Sequence, residues 1–420
     1  MFQSNLAQRK IIYGTSTYGE PLCNQCKGRG MCGKPNCIFI ERMKSVEPVV
    51  KKVKQDFFGA SPPSVFIGRF GYPNIYAGTL APMDDGDTSR YDAPKLWHND
   101  NWDINKVLSH RTSLINSRVK TNVKKAPKII DTLKEIAMSK RSVDIEAHYS
   151  KPIHSGINFS GMTAPSGPAA MMETLKLTEN PTTQKKIEYV VSGNDFKTTD
   201  AIEYLYKKHT DEGNITKLFS IGLLGEEKQR KLVPTRWAIT AVDDALGKQL
   251  TRKIKQNPII NKPIFFKKNY AGNYFWIVLF PKSWAYELIE LWHPQSVWMQ
   301  GSAVSISCDF ENYFGRKKYA SNTQGAYYAA RLAALEYLDK IKRQASVLIV
   351  REILPEYWAP LGVWVIRETV RGCMGEKSKD LEDLDVVYVI ENDLVCKKSK
   401  WQDKSSILNQ IIKQKSIIDY

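Results

Sequence analysis

The 420-residue chain has no uncharged apolar run near the ~18 residues that a membrane-spanning helix needs. Its best run, Tyr274 to Phe280, is the length of a strand. The chain opens without the basic, long-apolar, small-residue pattern of a secretory leader, so a cytoplasmic protein with no membrane partner is expected. Also absent are a GxxxxGK[ST] phosphate loop, an HExxH metal pair, a GxSxG nucleophile elbow and a repeat of fixed period. Acid is scarce relative to base, 44 Asp and Glu against 61 Lys and Arg, a formal net charge of +17. An excess of this size favours acidic partners, of which nucleic acid is the commonest.

What is present is a core. Hydrophobic residues make up 42% and aromatics 11%, which excludes wholesale disorder and suits two or three folding units. The positive charge is clumped: residues 1–60 carry +6, residues 118–141 +6 and residues 397–420 +4, leaving only +1 for the other 312 positions. A solvated helix face or tail is the plain alternative for each clump.

Four of the seven cysteines fall within fifteen residues, Cys23, Cys26, Cys32 and Cys37, in C-N-Q-C-K-G-R-G-M-C-G-K-P-N-C. Two thiolates separated by two residues can grip one ion, and the second pair closes a tetrahedron over a loop made tight by glycine and proline. Lys27, Arg29 and Lys34 offset the charge of a four-thiolate complex. Zinc with no open position is expected, a structural site and not a catalytic one. Two disulfides, an iron–sulfur cluster and no metal at all are the rival readings. Cys308, Cys373 and Cys396 are dispersed and read as ordinary small residues.

Strand and helix patterns mix throughout, which predicts an α/β or α+β body. The expected units are a zinc module over 1–45, an N-terminal mixed body over 46–270, a C-terminal part over 271–396 and a basic tail over 397–420. Helices are expected over Met43–Phe58, Pro127–Met138, Thr199–Lys208 (capped by Thr198 or Thr199), up to Gly247 after Lys231, Ser283–Leu291 and Ala326–Ile341. Strands are expected at Val65–Ile67, Ile187–Val191, Tyr274–Phe280, Val347–Val350, Val363–Arg367 and Val386–Ile390. The acidic stretch Met83 to Asp87 reads as an exposed turn, Trp97 and Trp102 fall in a loop-like stretch, and 148–170 reads as a long irregular connection.

No catalytic residue stands out. Asp243 and Asp244 with Arg236 could act on a phosphodiester through a metal, but neighbouring helix positions point about 100° apart and a salt bridge is the simpler role. Gly68-Arg69-Phe70-Gly71 could set a guanidinium near a phosphate or be only a tight turn.

The last seven residues, Q-K-S-I-I-D-Y, have the spacing Q-x-x-I-x-x-Y of a one-turn helical plug. Residues three apart nearly eclipse in a 3₁₀ turn, so Ile417 and Tyr420 share a side and Gln414 is left to hydrogen-bond at a pocket rim. This resembles the clamp-interaction motif of proteins that bind the ring-shaped DNA sliding clamp, with Asp419 where the fullest form carries an aromatic. A terminal helix docked on its own domain is the alternative.

Together with S-P-P-S-V-F-I-G-R-F-G-Y-P from Ser61 and K-L-V-P-T-R-W-A-I-T-A-V-D-D from Lys231, these pieces resemble the archaeal Nre DNA-repair family over essentially the whole chain. The resemblance implies a part in the response to DNA damage and association with the sliding clamp. It carries metal ligation to Cys23, Cys26, Cys32 and Cys37, and clamp contact to Gln414, Ile417 and Tyr420. A clamp-recruited repair factor that contacts DNA is therefore expected. The alternative is a repair enzyme, a nuclease or a base- or nucleotide-modifying activity, with its site in the central body; Arg69, Asp84, Arg236, Asp243 and His154 would then line one pocket.

Overall fold

The computed structural model describes residues 26, 28–31, 36–53, 55–153, 166–193, 195–299, 302–380, 383–397 and 401–413. They form a mixed α/β structure built on two six-stranded sheets.

The first sheet uses β1 (Asp56–Ser61), β2 (Val65–Ile67), β3 (Asn74–Ala81), β4 (Ile115–Asn122), β5 (Val143–Tyr149) and β6 (Ala169–Leu177) in the order β1-β5-β6-β4-β3-β2. Only β4 and β6 run parallel. In β5 buried residues alternate with accessible ones, Val143, Ile145, Ala147 and Tyr149 facing in, as a sheet with one wet face requires. The helix Ile129–Met138 lays Ile130, Leu133 and Ile136 into this core.

The second sheet uses β7 (Ile264–Tyr270), β8 (Asn273–Phe280), β9 (Ala285–Trp292), β10 (Ser305–Glu311), β11 (Ser346–Ile353) and the two-residue β12 (Lys379–Asp380), in the order β10-β9-β11-β8-β7-β12. It thus begins at Ile264, within the stretch assigned from sequence to the N-terminal body. All eight residues of β9 and all eight of β11 are buried, because helices cover both faces.

The helices are α1 (Ile38–Lys52), α2 (Pro94–Asn99), α3 (Ile104–Ser113), α4 (Ile129–Met138), α5 (Lys185–Ser192), α6 (Thr198–Lys207), α7 (Glu212–Ser220), α8 (Thr235–Ile254), α9 (Gly325–Ile341), α10 (Trp364–Met374), α11 (Asp383–Asp393) and α12 (Ser406–Lys413). Tyr286, Leu288, Val347 and Ile349 of the second sheet share a core with α8, α9 and α10. On its other face Trp276, Val278, Ile289 and Leu348 pack with Ile390, Trp401, Ile407 and Leu408.

Several expectations change. The helix expected over Met43–Phe58 is α1, which starts earlier and ends at Lys52; Phe57 and Phe58 alternate in and out in β1. Ile187–Val191 is helical, within α5, and its buried residues Ile187 and Val190 stand three apart. Ser283–Leu291 is instead strand β9. Its glutamates Glu287 and Glu290 mimic a helical polar stripe by their spacing, yet both are buried with partners on opposite faces of the sheet. The segments Val363–Arg367 and Val386–Ile390 belong to α10 and α11. The apolar run Val363 to Ile366 reads as a strand by itself, and the polar residues that complete the helical period, Arg367 to Thr369, are buried in α10 with it.

Neither Thr198 nor Thr199 caps α6, whose N-cap is Lys197 with no side-chain cap bond. Trp97 lies in α2; with Trp102 and Trp364 it forms part of a separate buried cluster. The helix expected to stop at Gly247 runs on to Ile254. Gly247 leaves room for the Arg331 guanidinium, since a Cβ there would stand 3.0 Å from its Nη2. The strands at Val65–Ile67, Tyr274–Phe280 and Val347–Val350 and the helices at Pro127–Met138 and Ala326–Ile341 appear where expected, to within a few residues.

Candidate nucleic-acid interface

The two long internal motifs, far apart in sequence, meet at one surface. The first forms β2 and the turn into β3; the second enters and opens α8. The Ile67 N–H at the end of β2 donates to Thr235 Oγ1 at the start of α8, 2.9 Å, and Ser220 Oγ lies 3.2 Å from the same hydroxyl. Within the turn Asn74 N–H bonds the Gly71 carbonyl at 2.8 Å. Gly71 has φ +80° and a Cβ would sit 2.6 Å from the Asn74 oxygen, so the turn requires glycine there.

This junction aims Arg69 and Phe70 from the turn, and Arg236 and Trp237 from the first turn of α8, to the outside. The rings of Tyr72 and Trp237 pack 5.2 Å apart, and the Arg69 guanidinium sits 4.9 Å over the Phe70 ring. Phe70 is 74% exposed and Trp237 44%. Burial, then the repulsion of Arg236, pulls the Arg69 pKa down. Among the described residues no carboxylate pairs with either arginine. Two like charges held together without a counter-ion, among exposed rings, make a surface that attracts phosphate and offers faces for stacking.

The other candidate active-site residues disperse. Asp84 accepts a bond from the Tyr91 hydroxyl in an exposed turn, and His154 lies outside the described residues. Asp243 is buried, and Arg367 Nη1 donates to both its oxygens at 2.8 Å. The Asp243–Arg367 pair sits at the buried end of an ionic network that reaches the surface at Lys95, which lies 3.3 Å from Glu212. Arg371 reaches Glu336 at 2.7 Å, Glu212 at 2.9 Å and Glu368 at 2.7 Å; Arg367 Nε lies 3.1 Å from Glu212. Burial pushes the Asp243 carboxyl up to about 6 against the pull of Arg367. Burial works against Glu212 too, yet Arg367 and Arg371 hold it well below the usual carboxylate range. Asp244, one position on, faces Arg331 at 2.6 Å and the exposed Lys248 at 2.7 Å, so both aspartates serve salt bridges, Asp243 inside the protein and Asp244 partly on the helix surface.

At the N-terminal side, Cys26 and Cys37 are described while Cys23 and Cys32 lie outside. Among the described residues no three His, Cys, Asp or Glu gather as a metal would need. The buried Cys26 Sγ accepts the Met31 N–H at 3.3 Å. Burial would raise this thiol's pKa, but N–H groups of Met31, Gly28, Arg29 and Gly30 turn towards the sulfur and lower it. Cys37 is the N-cap residue of α1.

At the other end, α12 docks by Ile407 and Leu408 on the second sheet. The buried Glu287 of β9 caps it, accepting from Ser405 Oγ at 2.7 Å, Ser406 N at 2.7 Å and Ile407 N at 3.0 Å. Gln414, Ile417 and Tyr420 lie outside the described residues. No helix among the described residues is long and apolar enough to cross a membrane.

The chain is thus a two-sheet α/β protein that carries a cationic, aromatic face at the meeting of its two signature motifs. Residues 31–299 match the profile described as archaeal Nre, N-terminal, and residues 311–420 that described as archaeal Nre, C-terminal. DNA repair protein NreB of Archaeoglobus fulgidus is 35% identical over 389 residues, covering 92% of this chain and 97% of that protein. DNA repair protein NreA of the same organism is 38% identical over 366 residues, 86% of this chain and 91% of the relative. NreA of Haloferax volcanii is 36% identical over 334 residues, 77% and 80%. The chain belongs to the archaeal Nre family of DNA repair proteins. No solved structure matches it.

The sequence signal for the interface lies in R-F-G-Y and R-W, where arginine adjoins an aromatic in each motif. A second stretch of the same make-up, Y-F-G-R-K-K-Y from Tyr313 to Tyr319, falls outside both motifs, and only the fold shows where it lies.

Proposed function

We propose that this protein is a cytoplasmic DNA repair factor that contacts DNA through the Arg69–Arg236 surface and is brought to its site by the sliding clamp through Gln414, Ile417 and Tyr420. The observation that carries the DNA contact is the pair of arginines with no carboxylate partner, set among Phe70, Tyr72 and Trp237. The clamp contact is supported by the spacing Q-x-x-I-x-x-Y, which starts directly after the docked helix α12. Dispersal of Asp84 and Asp243, the second of them sealed in the core, favours a binding factor over an enzyme built on those residues.

A structural zinc ion fits the donor set Cys23, Cys26, Cys32 and Cys37. The backbone N–H groups gathered on Cys26 are those that neutralise a metal-bound thiolate. Four thiolates leave no open coordination position, so the ion would order the N-terminal segment and take no part in a reaction.

The test pairs two variants of the full chain. Deleting residues 414–420 should abolish capture on immobilised clamp and leave DNA affinity unchanged. Arg69→Gln with Arg236→Gln should do the opposite, and should flatten the salt dependence by about 0.7–0.9 for each phosphate no longer neutralised. Clamp capture that survives the deletion, or DNA affinity that ignores the arginines, would refute the corresponding half.

A further inference from the structure

The loop between β10 and α9 reads Y-F-G-R-K-K-Y from Tyr313 to Tyr319, and its rings point outward: Phe314 is 90% exposed, Tyr319 52% and Tyr313 40%. Lys317 and Lys318 are exposed with them. The loop lies along α8. At one end Lys255, which caps the C-terminus of α8, donates to the Tyr313 carbonyl, and its ammonium stands 4.5 Å over the Tyr313 ring. At the other end Tyr319 lies beside Thr240 of α8, within the field of Arg236, and its ring stacks 5.5 Å from that of Tyr328. Arg316 fixes the back of the loop, with Nη1 donating to the Phe310 carbonyl at 2.8 Å and Nη2 lying 3.0 Å from Asp309.

Between the loop, α8 and α6 opens a cavity of about 520 Å³, walled by Lys248, Arg252 and Lys255 of α8 and by Phe314 and Arg316 of the loop, with Asp200 and Glu203 of α6 on its far side. Arg331, 3% exposed, lines it with an Nε–H that finds no acceptor. Arg331 is paired with Glu311 at 2.8 Å and Asp244 at 2.6 Å, whereas among the described residues the Arg252 guanidinium has no carboxylate partner. From Arg236 at the start of α8 to Lys255 at its end the helix spans about 28 Å at 1.5 Å per residue, with Trp237, Ala241, Lys248 and Arg252 exposed between them.

We propose that this face is a track for a single strand of DNA, with bases stacked on Trp237, Tyr319 and Phe314 and phosphates met by Arg236, Arg252 and Lys255. The proposal rests on the DNA contact inferred above and specifies its substrate. Trp237 and Tyr319 are each backed by a second ring, Tyr72 at 5.2 Å and Tyr328 at 5.5 Å, and keep one side open, while Phe314 stands free. A duplex keeps the faces of its bases stacked on one another, so such ring faces suit a strand that has been opened. The cavity is within the range that holds one small ligand, and the Arg252 guanidinium in its wall suits a phosphate oxygen. The run of α8 is short, so a site of roughly four to six nucleotides, near the low end for single-strand modules, is expected.

The experiment is fluorescence anisotropy of full-length protein with labelled oligothymidine of increasing length, with a matched duplex and with oligouridine. Affinity should rise with length up to about six nucleotides and then level, and the single strand should be favoured over the duplex at least tenfold. Phe314→Ala, which disturbs no core packing, should weaken single-strand binding about 5- to 100-fold, the effect of unstacking one base, with the thermal melt unchanged. Arg252→Gln should weaken it less and lower the salt slope by about 0.7. If Phe314→Ala and Arg252→Gln bind as the parent while Arg69→Gln with Arg236→Gln does not, the track is wrong and the DNA contact stands. If none of them matters, both fall. Preference for duplex overturns the single-strand assignment, and preference for oligouridine overturns the assignment to DNA.

Discussion

Replacing Glu287 by alanine should release the C-terminal segment from the second sheet while leaving the sheet folded. Its buried carboxylate in the middle of β9 accepts three hydrogen bonds, from Ser405 Oγ, Ser406 N and Ile407 N, and so caps α12 from outside the helix. Hydrogen bonds to a charged group are worth about 1.5–3 kcal/mol each, and stranding buried donors by removing their one acceptor costs about 3–5 kcal/mol in all. The mutant can escape that cost by letting residues 401–413 swing away, at the expense of burying Trp401, Ile407 and Leu408. Local opening then becomes easier by the same ~3–5 kcal/mol, roughly two to three and a half decades in the opening constant at about 1.4 kcal/mol per decade. Hydrogen exchange read by mass spectrometry should show peptides over 401–413 exchanging at least a hundredfold faster, with β8 and β11 still protected. Glu287→Gln, which keeps one accepting oxygen, should fall between. Protection over 401–413 within threefold of the parent would refute the assignment of Glu287 as the latch, and so would equal deprotection of the whole sheet.

Gly71→Ala should cost about 1–3 kcal/mol, because φ is +80° and the new methyl meets the Asn74 carbonyl at 2.6 Å; DNA affinity should fall with it as Arg69 shifts, read by urea midpoint and anisotropy together. Asp243, raised to about 6, holds in the folded state a proton that the unfolded chain, at about 3.9, has given up. Its contribution to stability is therefore full below about pH 4 and lost as pH rises through 6, at most about 3 kcal/mol. Asp243→Asn should flatten that segment of the stability curve in urea titrations at pH 4, 5, 6 and 7, and an unchanged slope would count against it. Elemental analysis should find close to one zinc per chain, and Cys26→Ser should remove it while the two sheets keep their protection; a metal-free protein would reject the site. Phe66, half-buried on β2, is outside the interface, so Phe66→Leu should leave DNA affinity unchanged and calibrates the arginine variants.

Sequence pattern served well wherever an element has one wet face. The helix α4 shows its stripe of Ile130, Leu133 and Ile136, and β2 is bounded by turn-formers, so both are legible from residues alone. It served badly where helices cover both faces of a sheet. There β9 has no alternation to read, and Glu287 and Glu290, which look like a solvent stripe, are held inside by α12 and by Arg351 at 2.5 Å. The same evenness of burial disguised α10, buried on nearly every side. At the candidate site, local chemistry marked Arg69 and Arg236 but not their meeting. That depends on one long-range hydrogen bond, from Ile67 to Thr235, which no local pattern foretells. The dispersed Asp84 and Asp243 show the converse, since acidity in the sequence said nothing of whether solvent reaches the group.

The ionic network around Glu212 draws its members from both halves of the family match. Glu212 and Asp243 come from the N-terminal part, and Glu336, Arg367, Glu368 and Arg371 from the C-terminal part. Cutting the chain between them would leave two guanidiniums on one fragment and two of their carboxylates on the other, each without the partners that offset its burial. The halves therefore behave as lock and key cast together: they should melt in one step, fail as separate products, and accept a half from a related protein only if it brings charges that match.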